Sequence, residues 1–267
     1  MLNRHDLREL ERILRDAALR ELLPRFRRIE THLKADGSLL TEADLQMQAR
    51  LTAELARRWP QFPLLGEEMS KQQQQALLDG RGPGLWVLDP LDGTSNFASG
   101  IPFFGISLAF LDAQGVQAGV VLDPMREESF SALRGEGAWL NGEPLSTFSD
   151  RSALGECMAM VDFKRLPESL ALRLSRQAPY RSQRSFGSVA LDWCWVAASR
   201  VQLYLHGGQK LWDYAAGSLI LSEASGAGGL YRDYEGNPID ALILEPRIAM
   251  AATDMQLFGQ WQEWIRG

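Results

Sequence analysis

Histidine and cysteine are scarce in this sequence of 267 residues, which contains three histidines and two cysteines. Two cysteines cannot build a disulfide framework. Cys157 and Cys194 also lack the Cys-x-x-Cys or Cys/His spacing that is typical of a zinc site. We therefore expect both to be buried small hydrophobic residues without a chemical role.

Long apolar runs and an excess of positive charge are missing as well. No stretch approaches the roughly 20 apolar residues of a membrane span, and the first residues lead into a charged helix instead of an apolar signal core. These features predict a cytoplasmic protein that has no membrane partner. The net charge of −6 argues against a nucleic-acid binder. The arginines between Arg25 and Arg28 fit either a solvated helix face or a contact with an acidic group.

The 45% hydrophobic content is enough for a substantial core, and the apolar patterns predict an α/β fold with α+β layering. The first part, residues 1–150, reads as a mostly antiparallel sheet covered by helices and carrying most of the candidate site residues. Its predicted helices cover 6–28 and 42–58, its predicted strands cover 62–65, 85–88, 105–111 and 116–122, and hairpins are predicted at 112–115 and 141–142.

The second part, residues 151–267, alternates between strands and helices, which predicts an α/β lobe that completes the site. Strands are predicted at 157–161, near Arg184, at 201–205 and at 248–252. Helices are predicted after Pro167, at 190–198, at 213–225 and after Asp254.

The most informative stretch is Trp-Val-Leu-Asp-Pro-Leu-Asp-Gly-Thr-Ser-Asn-Phe at 86–97, where an apolar strand runs into Asp89 and Asp92. Carboxylates at the end of a buried strand indicate a ligand site. Gly93 permits a close approach of the backbone, and Thr94 can begin a helix whose free N–H groups attract an anion. A bound Mg²⁺ ion would remove the repulsion between carboxylates and an anion, because it takes oxygen ligands and bridges protein carboxylates to phosphate.

Further acids stand near apolar segments at Glu67, Glu68 and Asp213, which makes an all-oxygen site for two metal ions plausible. Each acid also has a plainer interpretation. Asp-Gly is a common turn, Asp213 fits a helix cap, and Asp44 fits a capping box with Thr41. The two glutamates fit ordinary surface charge.

Two short motifs together resemble the signatures of the inositol monophosphatase family, whose members are lithium-sensitive, magnesium-dependent phosphatases. They are Asp-Pro-Leu-Asp-Gly-Thr at 89–94, preceded by Gly-Glu-Glu at 66–68, and Trp-Asp-Tyr-Ala-Ala-Gly at 212–217. The likeness continues through 34–44, 135–142 and 184–188 and so covers most of the chain, from about residue 34 to 226. It implies a fold of alternating helix and sheet layers.

The resemblance also implies roles for individual residues and a requirement for two or three Mg²⁺ ions. One ion would be held by Glu67, Asp89 and the Leu91 carbonyl, and a second by Asp89, Asp92 and Asp213. Thr94 and Asp44 would orient the attacking water, with Glu67 assisting catalysis. The phosphate and the rest of the substrate would meet Asp92, Gly93, Thr94, Gly187, Ser188, Val189 and His206. The loop at 34–38 matches a mobile active-site loop that helps to retain a further metal, and family members are commonly homodimers.

The sequence departs from the inositol-specific pattern at His206, where those members have a glutamate that binds substrate hydroxyls. An imidazole there could meet a second phosphate, a carboxylate or a base, or simply be a satisfied histidine at a strand end. The expected function is Mg²⁺-dependent hydrolysis of small phosphate monoesters of the inositol, sugar or polyol type. The alternatives are a 3'(2'),5'-bisphosphate nucleotidase, although Leu191 stands where those relatives have a lysine, and a non-catalytic binding or regulatory protein on the same scaffold.

Overall fold

The computed structural model describes residues 2–26, 31–33, 39–231 and 242–267. Its helices are α1 Arg4–Ala17, α2 Glu42–Arg58, α3 Lys71–Asp79, α4 Thr94–Ala98, α5 Glu168–Gln177, α6 Val189–Ala197, α7 Leu211–Glu223 and α8 Met255–Arg266. A π-helical segment, Ala18–Leu22, continues α1, and short 3-10 turns lie at Leu154–Glu156 and Phe163–Arg165. In the described residues, no helix is long and apolar enough to cross a membrane.

The strands are β1 Thr31–Leu33, β2 Leu39–Thr41, β3 Leu64–Gly66, β4 Leu85–Asp92, β5 Gly105–Asp112, β6 Gly115–Asp123, β7 Glu128–Leu133, β8 Gly137–Leu140, β9 Glu143–Leu145, β10 Met158–Asp162, β11 Ser182–Arg184, β12 Leu203–Gln209, β13 Ala227–Tyr231 and β14 Arg247–Ala252. Strands β3 to β9 form one sheet in chain order, antiparallel except for the parallel pair β3 and β4. A five-stranded mixed sheet has the order β11-β10-β12-β14-β13. Strands β1 and β2 pair separately.

Helix and sheet layers alternate because successive residues of the central strands face opposite sides. In β4, Trp86 and Leu88 pack with α1 and α2, whereas Leu85 and Val87 pack with α6 and α7. Helices α6 and α7 also contact the five-stranded sheet through Tyr204. Helices α5 and α8 cover that sheet's outer face. The predicted layered α/β architecture is confirmed.

The packing of α7 on the seven-stranded sheet is close at Gly119 in β6. A Cβ atom added there would lie 2.8 Å from Ala216 Cα and 2.9 Å from Ala216 O. Ser107 in β5 also donates a hydrogen bond from its Oγ to the Trp212 carbonyl (2.9 Å). Both contacts fix the beginning of α7 against the strands beside β4.

Several predicted elements have different bounds in the structure. The predicted helix 6–28 is an α-helix only to Ala17 and a π-helical segment from there to Leu22, in which buried Ala18 and Leu22 continue the apolar face. Residues 27–30 lie outside the described residues. The sequence patterns missed β7, whose buried serines Ser129 and Ser131 interrupt the apolar run. They also missed α3 and the glycine-containing β13. Both cysteines are buried and free, as predicted.

The boundary between the predicted parts 1–150 and 151–267 falls in the connection between β9 and β10. One hydrophobic cluster, however, contains residues from both sheets and the helices between them, including Val87, Trp193 and Ala251. The division into two lobes stays a prediction.

Candidate active site

An irregularity at the end of β4 brings Asp89 and Asp92 to the same side of the sheet. Residues three apart in a regular strand point to opposite faces. Here Asp89 pairs with Ser107 and Asp92 with Gly105, so three steps on β4 oppose two steps on β5. This bulge inserts one extra residue, at Pro90 and Leu91, and reverses the alternation once. Both carboxylates therefore line the same cavity.

Asp92 is fixed by the second half of the chain. Its Oδ2 accepts hydrogen bonds from Ser188 Oγ (2.6 Å) and from the Ala190 amide (2.7 Å) at the start of α6. Burial raises the pKa of Asp92 to about 6, although these hydrogen bonds act in the opposite direction. The carboxylate thus joins β4 to α6 at the site.

Two more acids reach the same place from other elements. Glu67 directly follows β3, and its amide donates to the Leu88 carbonyl of the neighbouring strand (3.1 Å). Asp213 is the third residue of α7, and its Oδ2 accepts a hydrogen bond from the Lys210 amide (2.8 Å). Glu67, Asp89, Asp92 and Asp213 all lie on the wall of one cavity.

These carboxylates are close enough to affect one another. Burial raises the pKa of Asp89 well above its ordinary value, and the charges of Glu67, Asp92 and Asp213 raise it further. The pKa of Asp213 is raised by the same causes, burial first and then the charges of Asp92 and Glu67. Such mutual repulsion inside a protein disappears when a cation lies between the groups.

The chemistry of this donor set fits a hard cation, because carboxylates and a peptide carbonyl are all oxygen ligands. Leu91 belongs to the bulge and is also one of the residues of the cavity wall. Nevertheless, within the described residues no group of three or more His, Cys, Asp or Glu side chains is gathered so that it could hold a metal ion without rearrangement. The cluster is thus a set of neighbouring oxygen donors and not a closed coordination sphere.

Gly93 and Thr94 turn the chain away from the carboxylates. Gly93 has φ of 94°, and a Cβ atom there would lie 3.1 Å from the Phe103 carbonyl oxygen. The Thr94 hydroxyl lies 3.0 Å from the Leu91 carbonyl oxygen and 3.3 Å from Asp44 Oδ1. Asp44 Oδ2 also accepts hydrogen bonds from the amide and the hydroxyl of Thr41. Asp44 therefore completes a capping box on α2 and contacts Thr94 as well.

The cavity has a volume of ≈ 660 Å³. Besides the acids, its wall includes the predicted substrate residues Gly93, Thr94, Gly187, Ser188, Val189 and His206. Asn96 holds two of these segments together, since its Nδ2 donates to the Phe103 carbonyl (2.7 Å) and to the Phe186 carbonyl (2.6 Å). Of the residues with a predicted role, Asp44 is the one that is not part of this wall, and it contacts the wall residue Thr94. Glu68 is not part of the wall either, and the loop 34–38 falls outside the described residues.

Both ring nitrogens of His206 contact polar groups of the protein. Nδ1 accepts a hydrogen bond from the Gly208 amide (3.1 Å), which leaves the proton of the neutral ring on Nε2, and Nε2 lies 3.0 Å from Asp162 Oδ2. Burial lowers the pKa of His206. Burial acts to raise the pKa of Asp162, but hydrogen bonds and charges from His206 and Arg165 hold it well below its usual range.

The sequence reasoning missed Asp162 and Asp192, which also lie on the cavity wall. Asp162 ends β10, so it follows an apolar strand just as Asp89 does, and that pattern was available in the sequence. Asp192 stands in the otherwise apolar segment Val-Ala-Leu-Asp-Trp-Cys-Trp-Val of α6. A single carboxylate in such a segment is itself a sign of a buried polar group.

A layered α/β fold with oxygen donors from two sheets around a cavity defines a class of proteins with an acidic, cation-compatible site. Comparisons with known proteins identify the family within that class. The model of the inositol monophosphatase family matches residues 6–265, and the chain belongs to this family.

Individual relatives agree with this assignment. The chain is 36% identical over 213 residues to a Nus factor SuhB of Pasteurella multocida, covering 78% of this chain and 76% of the relative. It is 34% identical over 222 residues to inositol monophosphatase 1 of Solanum lycopersicum, covering 81% of this chain and 79% of the relative. A solved structure of an IMPase from Thermotoga maritima superposes with a TM-score of 0.81 at 27% identity, covering 98% of this chain and 95% of the other.

Proposed function

We propose that this protein is a Mg²⁺-dependent phosphatase that hydrolyses small phosphate monoesters of the inositol, sugar or polyol type. The observation that carries the proposal is the clustering of Glu67, Asp89, Asp92 and Asp213 on one cavity wall. Membership of the inositol monophosphatase family supports the same activity.

Glu67, Asp89 and the Leu91 carbonyl would hold one Mg²⁺, while Asp89, Asp92 and Asp213 would hold a second. The carboxylates would move together on binding, because their repulsion is then relieved. When bound, Mg²⁺ supplies a more acidic water ligand and positive charge against the phosphate oxygens. Phosphoryl transfer mainly requires positioning and charge neutralisation, so a cysteine or histidine nucleophile is not needed.

Thr94 and Asp44 would orient the attacking water. The Thr94 hydroxyl, 3.3 Å from Asp44 Oδ1, can pass its proton towards that carboxylate while its oxygen accepts a hydrogen bond from water. Gly93 and Thr94 would hold a phosphate oxygen with their amides, because the first N–H groups of a helix have no partner within it. The left-handed conformation of Gly93 turns the chain at this point and starts α4.

The remaining substrate residues would be Gly187, Ser188 and Val189, with His206 acting through its bond to Asp162. A 3'(2'),5'-bisphosphate nucleotidase is the alternative within enzymes, and Leu191 disfavours it. We keep the cytoplasmic location and the homodimer as predictions.

A second candidate is a binding or regulatory role without catalysis. Relatives at 36% and 35% identity bear the name Nus factor SuhB, and that name does not mention a phosphatase activity. The four carboxylates on the cavity wall favour catalysis, since a purely structural role would not require repelling acids around a cavity.

The test is phosphate release from a panel of esters by the purified protein, comprising inositol, sugar and polyol monophosphates and an adenosine bisphosphate. We expect turnover with Mg²⁺, none after chelation, and inhibition by Li⁺. Asp213→Asn should abolish release, whereas Asp254→Asn, which alters the N-cap of α8, should preserve it. Absence of release from every ester would contradict the enzyme and favour the binding role.

A further inference from the structure

Asp192 is a carboxylate of the cavity that the proposed chemistry does not use. It lies in the first turn of α6, the same turn whose Ala190 amide holds Asp92. Its side chain is buried, with 7% of the residue exposed, and it contributes to the cavity wall. Asp192 therefore borders the cavity as well as the hydrophobic core.

Asp192 Oδ1 is buried without a hydrogen-bond partner. Among the buried side-chain atoms without partners in the described part of the chain, it is the one that belongs to the cavity wall. Burial and the charges of Asp92 and Asp162 raise the pKa of Asp192 well above its ordinary value. An unsatisfied buried carboxyl group destabilises a fold, so its presence on a cavity wall points to a ligand that satisfies it.

The neighbouring polar groups on this wall narrow the chemistry of that ligand. His206 uses both ring nitrogens within the protein, and Asp162 accepts from His206 and from Arg165 (2.7 Å). The cationic side chains of Lys164 and Arg165 are exposed at the cavity edge. A second anionic group of the substrate would be repelled by the carboxylates of Asp162 and Asp192. An ammonium group would be repelled by the basic side chains of Lys164 and Arg165 at the edge. A neutral hydroxyl donor fits best.

We propose that Asp192 determines substrate specificity by accepting a hydrogen bond from a hydroxyl group of the leaving alcohol. The proposal rests on the proposed phosphatase function and adds the chemistry of the alcohol side: a polyol with a free hydroxyl is favoured over an apolar alcohol. A site that is built to bind a hydroxyl discriminates strongly against analogues that lack it, because its polar group then stays unpaired.

The experiment compares the wild type with Asp192→Leu and Asp192→Asn on two esters, an inositol monophosphate and phenyl phosphate. Asp192→Leu should lower kcat/KM for the inositol ester by about 10- to 100-fold, the loss expected for a hydrogen bond to a carboxylate. For phenyl phosphate it should change kcat/KM by less than about 3-fold. Asp192→Asn keeps an acceptor oxygen, so its kcat/KM for the inositol ester should lie between the values of the wild type and Asp192→Leu.

Thermal unfolding gives a readout that does not depend on activity. The melting temperature of metal-free Asp192→Leu should equal or exceed that of the wild type, because an unsatisfied buried carboxyl is removed. The matched control is Asp254→Leu, which removes a carboxylate that accepts the Leu257 amide at the N-cap of α8 (2.9 Å). The control should melt at a lower temperature and leave the preference between the two esters unchanged.

Equal losses on both esters, or a lower melting temperature of Asp192→Leu without a change of preference, would overturn the proposal and make Asp192 a structural residue. If the wild type hydrolyses neither these two esters nor any other ester of the panel above, the proposed phosphatase function fails. Calorimetric binding of the same two esters in the presence of Ca²⁺ then decides on Asp192. Binding of the inositol ester that is weakened at least about 10-fold by Asp192→Leu supports its role, whereas equal affinity or no binding overturns it.

Discussion

Substitution of Gly119 by alanine tests the close packing that positions Asp213. The added Cβ atom would lie 2.8 Å from Ala216 Cα, and ordinary carbon contacts are ~3.5 Å, so α7 would have to move by roughly 0.7 Å. Overpacking of this kind costs about 1–3 kcal/mol. For a chain of this size, this corresponds to a fall in melting temperature of roughly 2–12 °C.

The same movement would displace Asp213, the third residue of α7, from the carboxylates of β4. A misplacement of about 1 Å at a reacting site can cost on the order of 100-fold in rate. We therefore expect Gly119→Ala to lose phosphatase activity by about 10- to 100-fold. The assays are calorimetric unfolding and Mg²⁺-dependent phosphate release.

Gly259→Ala is the matched control. Gly259 lies within α8, and apart from its chain neighbours and the backbone of the helix itself, an ideal Cβ there would meet no atom within 4 Å. Alanine should raise stability by about 0.5–1 kcal/mol through its better helix propensity, without any effect on activity. A Gly119→Ala protein that melts and turns over like the wild type would refute the packing of α7 described above.

Two further perturbations address groups around the cavity. Ser188→Ala removes a charge-assisted hydrogen bond to Asp92 and should lower the free energy of unfolding in urea by about 1.5–3 kcal/mol. The control Ser175→Ala, at an exposed position, should change it by less than about 0.5 kcal/mol. Equal effects of the two substitutions would contradict the role of the bond to Asp92. Burial in the folded state lowers the pKa of His206, so between the folded and the unfolded pKa the unfolded state binds more protons than the folded state. The contribution of His206 to stability therefore falls as the pH drops below about 6.5, the ordinary pKa of histidine. The stability of the wild type minus that of His206→Gln should therefore decrease on acidification from pH 7 to 5, and a flat difference would contradict the assigned neutral ring.

The sequence predicted the layered fold well where apolar residues follow a regular period. Helix α2 and strands β5 and β6 agree with the predicted segments within a residue or two. Strand β7 was missed because its buried Ser131 is satisfied by a hydrogen bond to Glu11 (2.6 Å), a partner 120 positions away. Burial that depends on a distant partner leaves no local apolar pattern.

The candidate site was predictable in its residues but not in its geometry. The motif around Asp89 and Asp92 indicated both carboxylates, yet a spacing of three would place them on opposite faces of a regular strand. Only the register against β5 reveals the bulge that unites them. His206 was open to several partners in the sequence, and its actual partner Asp162 lies beside it on the parallel strand β10.

The central claim is that the four carboxylates form a cation site, and Mg²⁺-dependent thermal unfolding of the wild type and Asp89→Asn tests it most directly. At a Mg²⁺ concentration about 100 times its dissociation constant, binding should stabilise the wild type by roughly 2.7 kcal/mol, which raises its melting temperature by about 5–10 °C. Asp89→Asn should be at least as stable as the wild type without metal, because the charge repelled by Glu67, Asp92 and Asp213 is removed, and it should lose the shift on adding Mg²⁺. An equal Mg²⁺ shift in both proteins, or a metal-free variant that melts well below the wild type, would contradict the account.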